Sequence, residues 1–176
     1  AKDMLRLSAE HSRPKNTALC QRIETIRPFS PGKPLLIGDI QITPFCIDHS
    51  ACDSYMFLIE ADGRRLLYTG DFRLHGVRGS VMDKILGRRV GRVDVLVTEG
   101  TTVSRPDHAA VTEWALQKRV KGYLRQYKYV FVLCAATNLD RVFALARAVP
   151  YGKYCICDKY QEALVKAVSD RWSGFS

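Results

Sequence analysis

Apolar and polar residues alternate along the first half of the chain in a pattern that predicts β-strands. The alternation is clear over 39–45, strands are also predicted over 55–61 and 64–69, and the Asp62-Gly63 pair between the last two is a hairpin signal. A mostly apolar run over 93–98 predicts a strand that is buried on both faces. Further predicted elements are a helix over 2–11, a strand over 22–27 and a short helix over 81–87.

The second half of the chain has a different pattern, in which helical periods alternate with short apolar runs. We predict a helix from the cap Asp107 to about residue 127, a helix over 138–149 capped by Asn138 and a helix over 160–172. The runs at 129–134 and 154–157 predict buried strands. Strands that alternate with helices favour a parallel βαβα piece, so we expect an α/β chain with domains at 1–105 and 106–176.

Length and composition exclude several classes of protein. The chain has 176 residues, of which 47% are hydrophobic, which is enough for one compact core or slightly more. No apolar run approaches the roughly 18 residues of a membrane span, and the first ten residues do not resemble a signal peptide. The six cysteines form no CxxC pair, so we expect free thiols in a cytoplasmic protein rather than disulfides or a cysteine zinc site.

The charge is strongly positive and unevenly distributed. Lysine and arginine number 27 against 18 acidic residues, a net charge of +9. Between residues 63 and 128 there are 14 basic and 6 acidic residues, so 14 − 6 = +8 of the excess lies there. Such a segment attracts polyanions, and nucleic-acid phosphates are the usual partner. The alternative is a solvated basic face with no ligand.

Two polar clusters end predicted strands and carry candidate chemistry. Asp48-His49-Ser50 follows the strand over 39–45, and Thr69-Gly70-Asp71 ends the strand over 64–69. A neutral imidazole and a carboxylate are both ligands for zinc or a similar ion, and one carboxylate can bridge two ions. The glycine lets the backbone turn so that Asp71 leaves the sheet edge. The alternatives are a hydrogen-bonded loop histidine and an ordinary turn.

Three segments together closely resemble the metallo-β-lactamase fold. They are 42–51 (ITPFCIDHSA), 55–60 (YMFLIE) and 67–76 (LYTGDFRLHG). More narrowly they are similar to its nucleic-acid-processing β-CASP branch, which includes RNase J and the cleavage-and-polyadenylation endonuclease. The resemblance implies part of an αββα sandwich, followed by the parallel βαβα piece of a β-CASP-like domain.

The resemblance also implies roles for individual residues. His49 and Asp71 match metal ligands, with Asp71 as the bridging one, and Glu99 in the Glu99-Gly100-Thr101 segment matches an acidic residue near the active site. Asn138 lies in a segment similar to one in the inserted domain and is a candidate substrate contact. The implied cofactors are two divalent ions, zinc or manganese.

The implied reaction is hydrolysis of a phosphodiester, with RNA as the expected substrate. The ion pair would lower the pKa of a bridging water and stabilise charge on the phosphate. His49, Asp71 and Glu99 would then be the catalytic set, while Arg73 and His75 are candidates for phosphate contact. The alternatives are that Arg73 pairs with a nearby carboxylate and that Glu99 is only a loop carboxylate.

One motif of the family is missing from the chain. The main metal-binding motif, HxHxDH, does not occur, so we expect an internal fragment that is catalytically inactive alone. Two other functions remain open: a small-molecule metallohydrolase of thioesterase or lactonase type, and a non-catalytic nucleic-acid-binding module. If the resemblance holds, His49, Asp71 and Glu99 should lie at one sheet edge, with the first two side chains about 4–7 Å apart.

Overall fold

The computed structural model describes residues 2–12, 14, 16–101, 103–104 and 110–169. The chain forms two compact units, a sheet unit of residues 29–115 and a helical unit of residues 1–28 and 116–176. The described residues form a mixed α/β structure with one five-stranded sheet and six α-helices. The predicted boundary at 105 and 106 lies outside the described residues, so the division into 1–105 and 106–176 stays a prediction.

The sheet has its strands in chain order. They are β1 (Leu35–Ile37), β2 (Ile40–Cys46), β3 (Tyr55–Ala61), β4 (Arg64–Tyr68) and β5 (Val95–Val97). Strands β1 to β4 pair antiparallel in succession, and β5 is parallel to β4. The strands predicted over 39–45, 55–61 and 64–69 are confirmed as β2, β3 and β4.

The first strand, β1, was not predicted. It pairs with β2 across a two-residue turn in which Gly38 has a φ of +59°, the left-handed conformation that such hairpin turns require. The prolines at 28, 31 and 34 dominate the local sequence and indicate a turn-rich connection, which hid this strand.

One face of the sheet packs against a helical segment. This segment consists of a 3₁₀ turn (Gly79–Val81), α3 (Met82–Ile85) and a π turn (Leu86–Val90), which confirms the helix predicted over 81–87. The core between them is formed by Phe45, Ile47, Met56, Leu58, Leu67, Met82 and Val90.

The strand predicted over 93–98 is confirmed as β5, but its predicted burial on both faces is wrong. All three of its residues are exposed, with Leu96 at 57%. β5 is a three-residue edge strand beside β4, and none of its residues belongs to the core to which β2, β3 and β4 contribute.

The helical unit contains α1 (Lys2–His11), α2 (Thr17–Glu24), α5 (Leu139–Ala148), α6 (Lys159–Ser169) and most of α4 (Glu113–Gln126). Within this unit α1 packs against α2 and α6. The helices predicted over 2–11, 138–149 and 160–172 are confirmed in their described parts. The predicted cap Asp107 lies outside the described residues. No helix in the described ranges has the length and apolar character that a membrane span requires.

Three predicted strands are absent from the described structure. The strand predicted over 22–27 is wrong because α2 includes residues 22–24, and the cap Asn16 accepts a hydrogen bond from the Leu19 N–H. The segments 129–134 and 154–157 form no strand, and Leu133 and Ile156 are almost fully exposed. In the described residues neither segment has a ladder partner, so the parallel βαβα piece is not formed.

Candidate active site

Three polar loops leave the sheet at the same edge. Strands β2 and β4 run in the same direction because each is antiparallel to β3, and β5 is parallel to β4. The loops that follow these three strands carry His49, Asp71 and Glu99. The predicted common edge is therefore confirmed by the sheet topology.

The loop after β4 is hydrogen-bonded to both of the other loops. The Arg73 N–H donates to the Asp48 carbonyl at 2.7 Å, and the Gly76 N–H donates to the Asp48 carboxylate at 2.7 Å. On the other side, the Phe72 N–H donates to Glu99 Oε1 at 2.6 Å. Backbone amides of the residues that follow Asp71 thus hold the three loops together.

The His49 ring is fixed by its own loop. Its Nδ1 accepts a hydrogen bond from the Ala51 N–H at 3.1 Å and lies 3.4 Å from the Ser54 hydroxyl oxygen. Because Nδ1 is an acceptor, the neutral ring carries its proton on Nε2. A histidine that binds a metal usually donates its second ring N–H instead, so this ring is not in the usual ligand state.

Glu99 uses both carboxylate oxygens to hold loops. Oε2 accepts from the Thr101 hydroxyl, and Oε1 accepts from the Phe72 N–H. The hydrogen bond from the Thr101 hydroxyl and, to a smaller extent, that from the Phe72 N–H lower the pKa of Glu99. Glu99 is therefore ionised at neutral pH and is unsuited to proton donation. The catalytic role of Glu99 stays a prediction. Its hydrogen bonds match the alternative interpretation, in which Glu99 is a loop carboxylate without a catalytic role.

Asp71 is exposed at the end of the turn that follows β4. Gly70 before it has a φ of +59°, so the predicted use of glycine to turn the backbone is confirmed. Asp71 forms no hydrogen bond or ion pair with other residues in the described ranges. Its carboxylate is available to a ligand, while the predicted 4–7 Å separation from His49 stays a prediction.

A buried ionic network lies behind this edge. Arg73 Nη1 lies 3.2 Å from Glu113 Oε1, and Arg73 Nε lies 3.5 Å from Asp48 Oδ1. The Arg73 side chain is 9% exposed, that of Glu113 is 2% exposed and that of Asp48 is 0% exposed. Contact of Arg73 with substrate stays a prediction. The structure contains the alternative arrangement, in which Arg73 pairs with carboxylates.

Gly76 is packed directly against this network. A Cβ at this position would overlap Asp48 Oδ1 and would lie 2.7 Å from Arg73 Nε, closer than real Cβ contacts. The glycine therefore permits the close approach that lets its N–H reach the Asp48 carboxylate.

The remaining two candidates have structural contacts of their own. The His75 carbonyl accepts a hydrogen bond from the Glu113 N–H at 3.2 Å, which ties the start of α4 to the loop after β4. Asn138 belongs to the helical unit, where its side chain caps α5 by accepting from the Arg141 N–H. Substrate binding by His75 and Asn138 stays a prediction.

The donor set does not fit a closed metal site. In the described part of the chain, no three His, Cys, Asp or Glu side chains are grouped so that they could hold an ion. His49 and Asp71 alone are two donors, fewer than the three or four protein ligands of usual zinc sites. One of these two, His49, has its Nδ1 already engaged by the Ala51 N–H.

Sequence reasoning named Asp48 only as a member of the Asp48-His49-Ser50 cluster, without a role of its own, and missed Glu113 as a part of this site. Asp48 carried a signal, because a carboxylate next to a buried strand end must find partners. Glu113 carried none, since it lies far along the chain at the start of a helix, where an acidic residue needs no special explanation.

The chain is similar in sequence to a protein named as an endoribonuclease and in fold to a protein of unknown function. No protein-family model matches the sequence. The chain is 30% identical over 129 residues to the protein named endoribonuclease ysh-1 of Neurospora crassa, a match that covers 70% of this chain and 14% of that protein. A crystal structure of a protein of unknown function from Enterococcus faecalis V583 has a TM-score of 0.71 and 18% sequence identity, covering 80% of this chain and 35% of that one. The chain spans well under half of both proteins, and the structural match shows similarity of fold alone.

Proposed function

We propose that this chain is part of a metal-dependent phosphodiester hydrolase of nuclease type that processes RNA. We place it in the β-CASP branch of the metallo-β-lactamase fold. The observation that carries the proposal is the 30% identity to an endoribonuclease over 70% of the chain. The common edge of the loops with His49, Asp71 and Glu99 supports it, because these are the positions that the resemblance marks.

Within this function the described residues supply one side of an active site. The hydrogen bonds to Asp48 and Glu99 fix the loops, and Asp71 is left exposed at the edge. We also propose that the enzyme uses two divalent ions, zinc or manganese, as cofactors. Since the donors in the described residues do not fit a closed site, we assign no catalytic step to them alone.

The proposal is tested first by the coding sequence upstream of residue 1. We expect an HxHxDH segment within about a domain length, roughly 100–150 residues. The protein that includes it should cleave labelled RNA with zinc or manganese, and His49→Ala or Asp71→Ala should abolish turnover. An intact protein that binds RNA but does not cleave it under these conditions would contradict the nuclease assignment.

The 176-residue chain itself should bind labelled RNA and fail to cleave it. Robust cleavage that His49→Ala abolishes would contradict the expected dependence on further ligands. Cleavage that His49→Ala leaves unchanged would indicate a contaminating nuclease.

A second candidate is a non-catalytic nucleic-acid-binding module. The observation that favours it is the lack of a metal-binding group in the described residues. A coding sequence without the upstream histidine motif, together with retained RNA binding, would support this candidate over the hydrolase.

A further inference from the structure

Trp114 is an exposed tryptophan in the first turn of α4. It is 69% exposed, and its indole forms no hydrogen bond, ring contact or cation–π contact with other residues in the described ranges. Tryptophan is a large ring that proteins mostly cover, although single exposed apolar residues are common and need no explanation. A role for this ring must therefore be argued from where it lies.

The backbone on both sides of this tryptophan is held in place. On one side the Glu113 N–H donates to the His75 carbonyl at 3.2 Å, and Glu113 Oε1 lies 3.2 Å from Arg73 Nη1. On the other side the Ala115 N–H donates to the Thr112 hydroxyl oxygen at 3.1 Å, which caps the helix. A ligand that stacks on the ring therefore has little backbone to order, which lowers the cost of binding.

The same contacts connect this position to the candidate active site. Glu113 contacts Arg73, which lies two residues after Asp71 in the loop that follows β4. The Arg73 N–H in turn donates to the carbonyl of Asp48 in the loop that follows β2. All of these residues belong to the sheet unit. The residue after Glu113 is thus joined by direct contacts to two of the three loops at this edge.

A second exposed apolar side chain leaves the chain at the same contact. Leu74 is 61% exposed and lies between Arg73 and His75, both of which contact Glu113. An aliphatic side chain and an indole ring therefore extend from the two segments that meet there. Flat, apolar base faces stack on aromatic rings, and this is the usual way in which proteins hold unpaired bases.

The ring is also directed away from the packed side of α4. At 3.6 residues per turn, Trp114 lies about 100° from Glu113 and about 120° from Val120 around the helix axis, and both of those residues are buried. Lys118 follows one turn later on the face of Trp114 and is exposed. It forms no ion pair with a carboxylate in the described part of the chain. A ring for a base and a cation for its phosphate thus lie next to each other on one helix.

We propose that Trp114 stacks on an unpaired base of RNA that is bound at the candidate active-site edge. The proposal rests on the proposed function, which makes RNA the partner, and it adds a residue that binds a base. A base within a duplex has both faces covered, so the strand must be single at this position. An aromatic peptide is the other kind of partner that would pack on an indole ring, and it would have no phosphate for Lys118.

The stacking is tested by the fluorescence of the ring itself. The chain contains two tryptophans, so the Trp172→Phe variant leaves Trp114 as the only emitter. Titration with a 20-nucleotide oligoadenylate should quench its emission, with saturation at the concentration at which anisotropy shows a labelled oligoadenylate to be bound. An abasic ribose-phosphate chain of the same length should bind more weakly and leave the emission unchanged. Oligoadenylate that binds without quenching would overturn the stacking role.

The contribution of the ring to affinity is tested by substitution. Trp114→Ala should weaken oligoadenylate binding by about tenfold, while Trp114→Phe should retain most of the affinity. Neither change removes a charge, so the log–log salt slope should stay the same, whereas Lys118→Gln should reduce that slope by about 0.7. The matched control is Tyr151→Ala, which removes a fully exposed ring from the helical unit and should leave affinity unchanged within twofold. Equal losses for Trp114→Ala and this control would overturn the assignment.

The outcomes separate this inference from the proposed function. If the chain binds no RNA at all, the role of Trp114 is wrong and the RNA-processing function loses its support. If it binds RNA and the Trp114 variants behave like the control, the role is wrong while the function stands. An aromatic peptide that quenches the emission at the same concentration as the oligoadenylate would overturn the choice of RNA. Far-ultraviolet circular dichroism and melting curves of each variant ensure that loss of binding does not come from unfolding.

Discussion

Arg73 shows how the candidate site is held at the scale of single residues. Its guanidinium lies between the carboxylates of Asp48 and Glu113, which are almost fully buried. Buried charges are costly to remove from water, so the arrangement is stable only while opposite charges and hydrogen bonds compensate one another. The network therefore fixes the loops that carry His49 and Asp71 more rigidly than surface contacts would.

The Glu113→Ala variant tests this network. It leaves Arg73 buried without one of its carboxylates, so the free energy of unfolding should fall by about 3–5 kcal/mol in urea denaturation. The matched control is Arg64→Ala, which breaks the exposed 3.7 Å pair with Asp94 and should cost about 0–1 kcal/mol. Similar losses for the two variants would show that the network is a surface-like interaction.

The Gly76→Ala variant tests the packing against the same network. The added methyl group has no room beside Asp48 and Arg73, so the loop must shift at a cost of about 1–3 kcal/mol. The control is Gly87→Ala, where the added Cβ meets no atom within 4 Å and stability should stay equal or rise by up to about 1 kcal/mol. A Gly76→Ala protein as stable as the control would contradict this close packing.

Glu99 should give the stability a dependence on pH. Its pKa is lowered in the folded protein by the Thr101 and Phe72 hydrogen bonds, so the ionised form stabilises the fold above the ordinary glutamate pKa. That contribution is lost as the pH falls through the lowered pKa. Glu99→Gln should therefore melt at a lower temperature than the unmodified chain at pH 7, with a smaller difference at pH 3. A difference that is the same at both pH values would mean that ionisation is irrelevant.

At the scale of elements, α5 depends on its cap. Asn138 accepts a hydrogen bond from the Arg141 N–H, so Asn138→Ala should lower stability by about 1 kcal/mol, whereas Asn138→Asp should retain most of it. RNA affinity measured on both variants separates the cap from the predicted substrate contact. Weaker RNA binding by the aspartate variant, with stability preserved, would support a substrate role.

The elements differ in how far the sequence could predict them. Strands β2, β3 and β4 were predictable because each is rich in apolar residues. Some of these residues form a local core with the 82–90 helical segment. The segments 129–134 and 154–157 have equally apolar sequences, but a strand also needs a neighbour in the sheet. Periodicity reports which residues avoid water and contains no information about whether a partner strand is present.

The candidate site, too, could be predicted from the sequence only in part. The common edge of His49, Asp71 and Glu99 was predictable because each follows a strand, and hairpin connectivity sets the direction of the strands. The tautomer of His49 was not predictable, since it depends on one backbone N–H within its loop. The role of Glu113 was hidden because its contact with Arg73 joins distant parts of the chain.

At the scale of the whole molecule, the incomplete donor set predicts the response to metal ions. A ligand that binds only the folded state stabilises it by RT ln(1 + [L]/Kd), so a working site would raise the melting temperature as metal is added. With two donors, one of them a histidine whose Nδ1 accepts from the Ala51 N–H, we expect manganese to leave the melting temperature of the chain unchanged. Manganese is the cleaner probe because it prefers oxygen ligands, while zinc also prefers thiols, and none of the six cysteines forms a disulfide.

The matched control for this measurement is the double variant His49→Ala, Asp71→Ala. With zinc, the chain and the variant should show the same shift in melting temperature, because any binding then comes from thiols that both proteins share. A rise with manganese that the double variant abolishes would contradict the expectation. It would mean that the loop after β2 rearranges, releasing His49 from the Ala51 N–H, and that the edge of the sheet binds the ion without further protein ligands.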